Sequence, residues 1–307
     1  MTRTELSHIT VGLVAPSGYA ADPDDVARVI CRLESYGCRV RNYYNPAATH
    51  QRFGGTDAAR LAQLHAATAD KEVQVVLALR GGYGMSRLLP ELDLGALAAS
   101  KKLFVGHSDF TVLHMALLTQ GVCSFAGPMG CSDFSRAEPS QFTLQNFWQC
   151  VGSATHIVHF NAPDNPLLDV SGTLWGGNLT MLTHLIGTPY LPKVDDGILF
   201  LEDVNEHPYR IERMLLQMDH AGLLKQQAIV LGDFSSYSVT DYDNGYNFEA
   251  MLAYLRQRLD VPVLTGLPFG HTRDKVTLAV GSRARLVSEG AACTLTMSDY
   301  PVLSDAR

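Results

Sequence analysis

The first 130 residues alternate short apolar runs with amphipathic segments, and this order constrains the fold more than any other property of the chain. ITVGLVAPSG is a strand-length apolar run ending in a Pro/Ser/Gly turn. DPDDVARVICRLESYG has helical spacing, starts on acidic residues and stops at Gly37. CRVRNYY reads as a strand, and TDAARLAQLHAATAD as a helix with Thr56 at its cap. VQVVLALRGGYG reads as a buried strand running into a glycine turn, and LFVGHSD and VCSFAGP as two more strands. Repeated strand–helix alternation predicts a parallel sheet with helices on its faces. Ligands bind such sheets at the carboxyl ends of the strands. The turns APSGY, RGGYG, GHSD and AGPMG all fall there, on one rim.

A chain of 307 residues is long for a single core and fits two domains. The polar, Pro-rich stretches CSDFSRAEPSQF and NAPDNPLL place the connection between them within residues 130–170. The second half opens with SGTLWGGNLTMLTHLIGT, a strand–turn–helix. GILFLEDVNEHPYRIERMLLQM follows as a strand ending in acidic residues and then a helix. Hydrophobic residues make up 46% and charged residues 18%, enough for a substantial core. The net charge of −7 and the absence of Lys/Arg runs longer than two residues speak against nucleic acid or an anionic membrane as partner. No stretch approaches the roughly 20 apolar residues of a membrane span, and the N-terminus lacks the pattern of a signal peptide. Six cysteines, none in a C-x-x-C pair, fit reduced thiols in a cytoplasmic protein. Histidines in no H-x-x-x-H or H-E-x-x-H string argue against a metallohydrolase.

Ser108 lies between the apolar run LFVG and the helical segment that follows it. A strand–turn–helix context can project a serine hydroxyl from a sheet end with free backbone N–H groups beside it, as a nucleophile requires. The pattern is G-x-S followed by Asp109 and Phe110, without the second glycine of a hydrolase elbow, and Ser108 or Asp109 could equally cap the helix. Glu202 and Asp203 end the strand GILFLED. Glu202 suits either a cleft or a cap, whereas Asp203 or Asn205 suits a cap for the helix starting near Pro208. His271 follows Gly270 at another strand end, with His107 and His207 as rival bases. Gly81, Gly82 and Gly84 form a turn without a phosphate-loop signature. Its backbone N–H groups could serve an oxyanion, or it could be a turn and nothing more.

Nine strings occur in a fixed order: VAPSG, FGGTD, LRGGYG, GHSDFT, GPM, GTLWGGNLTML, LIGTP, LEDVNEHPYRIERML and FGH. In these the chain resembles the cytoplasmic murein tetrapeptide LD-carboxypeptidases. The resemblance implies a serine peptidase with a Ser-Glu-His triad, matched here by Ser108, Glu202 and His271. It implies an α/β fold in which a Rossmann-like N-terminal domain with a parallel sheet carries the serine. A β-rich α+β C-terminal domain supplies the other two residues. The division is then 1–150, a connection at 151–169, and 170–307. Homodimers, a cytoplasmic location and release of the terminal D-Ala from a murein tetrapeptide in peptidoglycan recycling are implied as well. No metal or organic cofactor is called for.

On this assignment the Asp109 N–H is one oxyanion donor and Gly82 supplies the other. Arg80 and Arg210 are candidates for the substrate's carboxylate, because arginine binds carboxylates bidentately. Arg210 and Arg213 could instead only pair with Glu206 or Glu212 on a helix face. The W-G-G-N and G-G-Y-G strings add Trp175, Asn178 and Tyr83 to the pocket. Because the triad spans two domains, Ser108 and His271 are expected to stand too far apart for a hydrogen bond before substrate arrives. Three competing functions remain. A related serine hydrolase that cleaves an aminoacyl-nucleotide antibiotic, for self-immunity, would need an aromatic such as Trp175 to stack on a base. A non-catalytic muropeptide-binding protein would have no need of all three triad residues. A nucleotide- or phosphosugar-binding protein would need a phosphate loop.

Overall fold

The computed structural model describes residues 6–303 and gathers their strands into two sheets. In the first, β1 (Thr10–Val14), β2 (Arg39–Asn42), β3 (Val75–Ala78), β4 (Leu103–Gly106) and β5 (Ser124–Ala126) are parallel, in the order β5-β4-β3-β1-β2. Every residue of β1, β3, β4 and β5 is buried, as a sheet covered on both faces requires. The crossovers include helices Asp25–Ser35, Asp57–Ala69 and Thr111–Leu118. Thr56 caps the second of these, its Oγ1 accepting the Ala59 N–H at 3.2 Å.

The remaining strands are β6 (Thr155–Asn161), β7 (Leu168–Asn178), β8 (Ile198–Val204), β9 (Ala228–Ser235), β10 (Val263–Leu264), β11 (Leu278–Val280), β12 (Arg283–Ser288) and β13 (Ala292–Ser298). All but β11 form the second sheet, ordered β10-β9-β8-β7-β12-β13-β6. It is parallel from β10 to β7 and antiparallel from β7 to β6. Burial follows the pairing. β8 is buried along almost its whole length, whereas β6 alternates exposed and buried residues and so has one face in water. The chain is therefore a two-part α/β protein, a Rossmann-like sheet followed by a mixed one.

Two segments depart from a simple split of the chain. The 151–169 connection contains β6, which closes one edge of the second sheet, and the start of β7. β11, from late in the chain, returns to the first sheet and pairs antiparallel with β5. The carboxyl ends of β3, β4 and β5 thereby come to face that of β8.

Candidate active site

β4 ends at Gly106, and Ser108 follows with φ +61°, a left-handed conformation that costs a non-glycine residue roughly 1–2 kcal/mol. Strain of this kind turns the chain sharply out of the sheet and into the helix Thr111–Leu118. The turn is shaped by its neighbour. A Cβ on Gly81 would lie 2.7 Å from Ser108 Cβ and 2.9 Å from its Oγ, so only glycine allows the two turns to approach. Gly81 is held in turn by the Gly18 N–H, which donates to its carbonyl at 3.0 Å.

Asp109 has two separate parts to play. Its backbone N–H adjoins the serine and has no backbone partner among the described residues. Its side chain is buried and points the other way. Oδ2 accepts the Ser17 hydroxyl at 2.6 Å and the Met85 N–H at 2.9 Å, and Oδ1 has no hydrogen-bond partner among the described residues. Burial pushes this carboxyl above its ordinary value. Buried Arg60 completes the frame by donating to the carbonyls of Pro16 and Gly84 and pairing with Asp57. The VAPSG, glycine and serine turns are therefore locked together. Neither Ser17 nor Arg60 was singled out in the sequence, because an isolated serine or a helical arginine looks the same there whether it is buried or not.

Glu202 is fully buried near the end of β8, and a bulge between Leu201 and Asp203 re-aims this stretch of the strand. Its Oε2 lies 2.7 Å from His271 Nδ1, and its Oε1 accepts from Asn178 Nδ2 at 3.1 Å. Gly270 makes the approach of His271 possible. It has φ +147°, and a Cβ there would meet Asp233 Cβ at 2.8 Å and Glu202 Cβ at 3.3 Å. A carboxylate can only accept, so His271 carries its proton on Nδ1 and turns the Nε2 lone pair outward. Nε2 lies 3.0 Å from Ser108 Oγ. The pair is therefore already bonded across the two halves of the chain, which corrects the expectation that they stand apart. Burial alone would lower the pKa of His271, but the Glu202 hydrogen bond and charge, with Asp203 behind, outweigh it and raise it above 6.5.

The rival histidines are engaged elsewhere. His107 is buried and donates Nδ1–H to the Gly127 carbonyl at 2.7 Å. Its ring stands edge-on to that of His271, with centroids 5.3 Å apart. Burial first, then Lys275 and His271, hold it neutral, well below its ordinary value. His207 caps the helix Pro208–His220 and pairs with Asp243 at 3.2 Å. That cap belongs neither to Asp203 nor to Asn205. Asp203 Oδ2 instead accepts the N–H and hydroxyl of Thr180 in the helix Leu179–His184.

The pocket candidates divide. Tyr83 is exposed on the rim and its ring packs 5.9 Å from that of Phe53. Arg80 is exposed beside Gly18 and Gly81 and has no ion pair among the described residues. Arg210 is exposed too, but its Nη1 lies 3.6 Å from Glu206, so the helix-face pairing is what forms. Two of the candidates are buried. Trp175 is 1% exposed and donates Nε1–H to Gln226 Oε1 at 2.9 Å. It pairs with Leu199 near the start of β8, three residues before the register position of Glu202, and belongs to the core. Asn178 is 5% exposed. Its Nδ2 orients Glu202 and bonds Asp203 at 2.9 Å, and its Oδ1 accepts the Met181 N–H at 3.1 Å, so it serves the triad from behind.

A serine bonded to a histidine that is bonded to a buried carboxylate can pass a proton and attack a carbonyl. Comparison with known proteins places the chain among carboxypeptidases. Residues 11–127 match the LD-carboxypeptidase N-terminal domain and residues 171–286 the LD-carboxypeptidase C-terminal domain. The chain belongs to the LD-carboxypeptidase family. The murein tetrapeptide carboxypeptidase of Pseudomonas aeruginosa is 32% identical over 271 residues, covering 85% of this chain and 87% of its own. The crystal structure of muramoyltetrapeptide carboxypeptidase from Oxalobacter formigenes superposes with TM-score 0.92 at 53% identity, over 95% of this chain and 100% of that one. MccF in complex with glutamyl sulfamoyl guanosine shares the fold, with TM-score 0.87 at 21% identity over 96% and 97% of the two chains. Among the described residues no helix is long and apolar enough to cross a membrane.

Proposed function

We propose that this carboxypeptidase hydrolyses the L–D amide bond before the terminal D-Ala of murein tetrapeptides, in the cytoplasm, as a homodimer serving peptidoglycan recycling. The bonded chain Ser108–His271–Glu202, in a member of this family, is the observation that carries the reading. His271 Nε2 takes the Ser108 proton as Oγ attacks the scissile carbonyl. The oxyanion is received by the N–H groups of Asp109 and Gly82. Loss of one such donor typically costs on the order of 10² to 10³ in rate. The imidazolium, held by Glu202, gives its proton to the departing D-Ala amine. Water, activated by the same histidine, then cleaves the acyl-enzyme and returns Ser108. Arg80, exposed beside the serine turn and without an ion pair among the described residues, meets the substrate's free carboxylate, and Tyr83 lines the same rim. The burial of Trp175 counts against a nucleobase-stacking role for that residue.

The test is mass spectrometry of L-Ala-D-Glu-meso-diaminopimelyl-D-Ala incubated with the wild type and with Ser108→Ala. Loss of one alanine by the wild type alone is expected. Loss by both proteins would remove Ser108 as nucleophile, and loss by neither would remove the substrate.

A further inference from the structure

His271 sits on a bridge between the two sheets. On one side, Phe269 accepts the Asp233 N–H from β9 at 2.8 Å, and Gly270 is pressed against β8 and β9. On the other, the chain is docked on the first half. The Lys275 N–H donates to Thr143 Oγ1 at 2.9 Å, and that hydroxyl donates to the Arg273 carbonyl at 3.0 Å. The Thr277 N–H donates to Asn146 at 2.6 Å, after which β11 enters the first sheet. At the centre of this docking is an ion pair that the triad does not use. Lys275 Nζ lies 2.5 Å from Asp133 Oδ1, and both side chains are 2% exposed.

Asp133 belongs to a single π-helical turn, Gly130–Phe134, that follows β5. Such turns are uncommon and concentrate at functional sites. Its other oxygen accepts the Met129 N–H at 2.8 Å and the Ser132 hydroxyl at 3.0 Å. In the same turn, the Cys131 N–H donates to the Leu79 carbonyl at 2.8 Å, two residues before Gly81. A continuous path of bonds thus runs from Lys275 through Asp133 to the glycine turn that shapes Ser108. Two buried charges are costly to desolvate, and an apolar pair of the same volume often serves stability as well or better. A pair kept here, across the seam and four residues from His271, has a further use.

We propose that Lys275 and Asp133 are positioning residues of the catalytic reaction, a buried clasp that holds the His271 bridge at hydrogen-bonding reach of Ser108. This rests on the triad reading above. The clasp must also be neutral as a pair. The groups facing His271 are Glu202 and Asp203 from β8, His107 from the end of β4, and Lys275 from its own segment. Lys275 opposes a positive charge on His271, and Asp133 offsets that opposition. Removing either partner therefore disturbs both the placement of the imidazole and its charge balance, in opposite directions.

The test uses the rate at which a generic fluorophosphonate labels Ser108, followed against pH, with Ser108→Ala as the blank. Labelling needs the serine–histidine pair but no murein substrate, so an error in the substrate assignment leaves it informative. Asp133→Asn and Lys275→Met are each expected to slow labelling about 10²-fold, the order of loss that a small misplacement brings. The acid limb should move to lower pH in Asp133→Asn, where an ammonium is left uncompensated, and to higher pH in Lys275→Met. The double variant Lys275→Met/Asp133→Asn, which buries no unpaired charge and keeps an oxygen for the Met129 N–H, should regain most of the rate and the wild-type midpoint. It also keeps the test decisive should a single variant fail to fold. Single variants labelled within about threefold of wild type, limbs that move the same way, or a double variant as slow as the singles would overturn the clasp.

Discussion

Glutamine in place of Glu202 changes hydrogen bonding at the proposed triad while leaving its shape intact. The carboxylate accepts at both oxygens, from His271 Nδ1 at 2.7 Å and from Asn178 Nδ2 at 3.1 Å. An amide has one accepting oxygen and one donating nitrogen, so one of the two contacts becomes donor against donor. Asn178 cannot yield, because its amide also bonds Asp203 at 2.9 Å and Met181 at 3.1 Å. His271 yields instead by moving its proton to Nε2, the atom 3.0 Å from Ser108 Oγ. That nitrogen then has no lone pair for the serine proton. In Ser-His-Asp enzymes the matching amide costs about 10⁴ in kcat, or about 5.4 kcal/mol. We therefore expect Glu202→Gln to lower kcat by about 10³ to 10⁴ while KM changes less than about threefold, read by alanine release from the tetrapeptide. Adding Asn178→Ala removes the competing donor and should raise kcat at least about tenfold over Glu202→Gln alone. A Glu202→Gln enzyme within about tenfold of wild type would refute the reasoning, as would a second substitution that restores nothing.

Three further outcomes follow from the geometry. Gly81→Ala puts a methyl 2.7 Å from Ser108 Cβ and should cost at least about 10² in kcat; an unchanged kcat would show that the serine turn has room to move. The base must be neutral to act, and His271 binds its proton more tightly than an ordinary histidine. The acid limb of kcat/KM should accordingly have its midpoint above pH 6.5, and a midpoint below that value contradicts the Glu202 pairing. Trp175→Phe should leave kcat and KM within about threefold but lower unfolding stability by about 1–2 kcal/mol, since it breaks a core hydrogen bond to Gln226. A large rise in KM in that variant would return Trp175 to the pocket.

Much of the site was legible because its signals are local. The apolar run before Gly106, the serine after it and the helical spacing beyond define a strand–turn–helix that any backbone must bend sharply to make. Glu202 and His271 stand directly after apolar strands or a glycine, which brings them to strand ends. Trp175 lies in the core for a reason that no local signal carries. A string shared with a family says that residues are near one another in sequence. Whether a side chain on such a string faces the rim or the core depends on strand register, and Trp175 lies three residues short of the rim.

The parallel sheet, the covered faces of β1, β3 and β4, the serine turn and the family are thus determined by sequence alone, because each depends on periodicity or on neighbours a few residues apart. Tertiary structure alone decided that Ser108 and His271 are already joined, that Asn178 serves Glu202, and that Lys275 meets Asp133 across 142 residues of chain. Those contacts are made between segments distant in sequence, on side chains whose chemistry is the same exposed or buried. The first and last of them join the two halves of the site, which the return of β11 to the first sheet also links, whereas the Asn178–Glu202 contact comes from the pairing of β7 with β8.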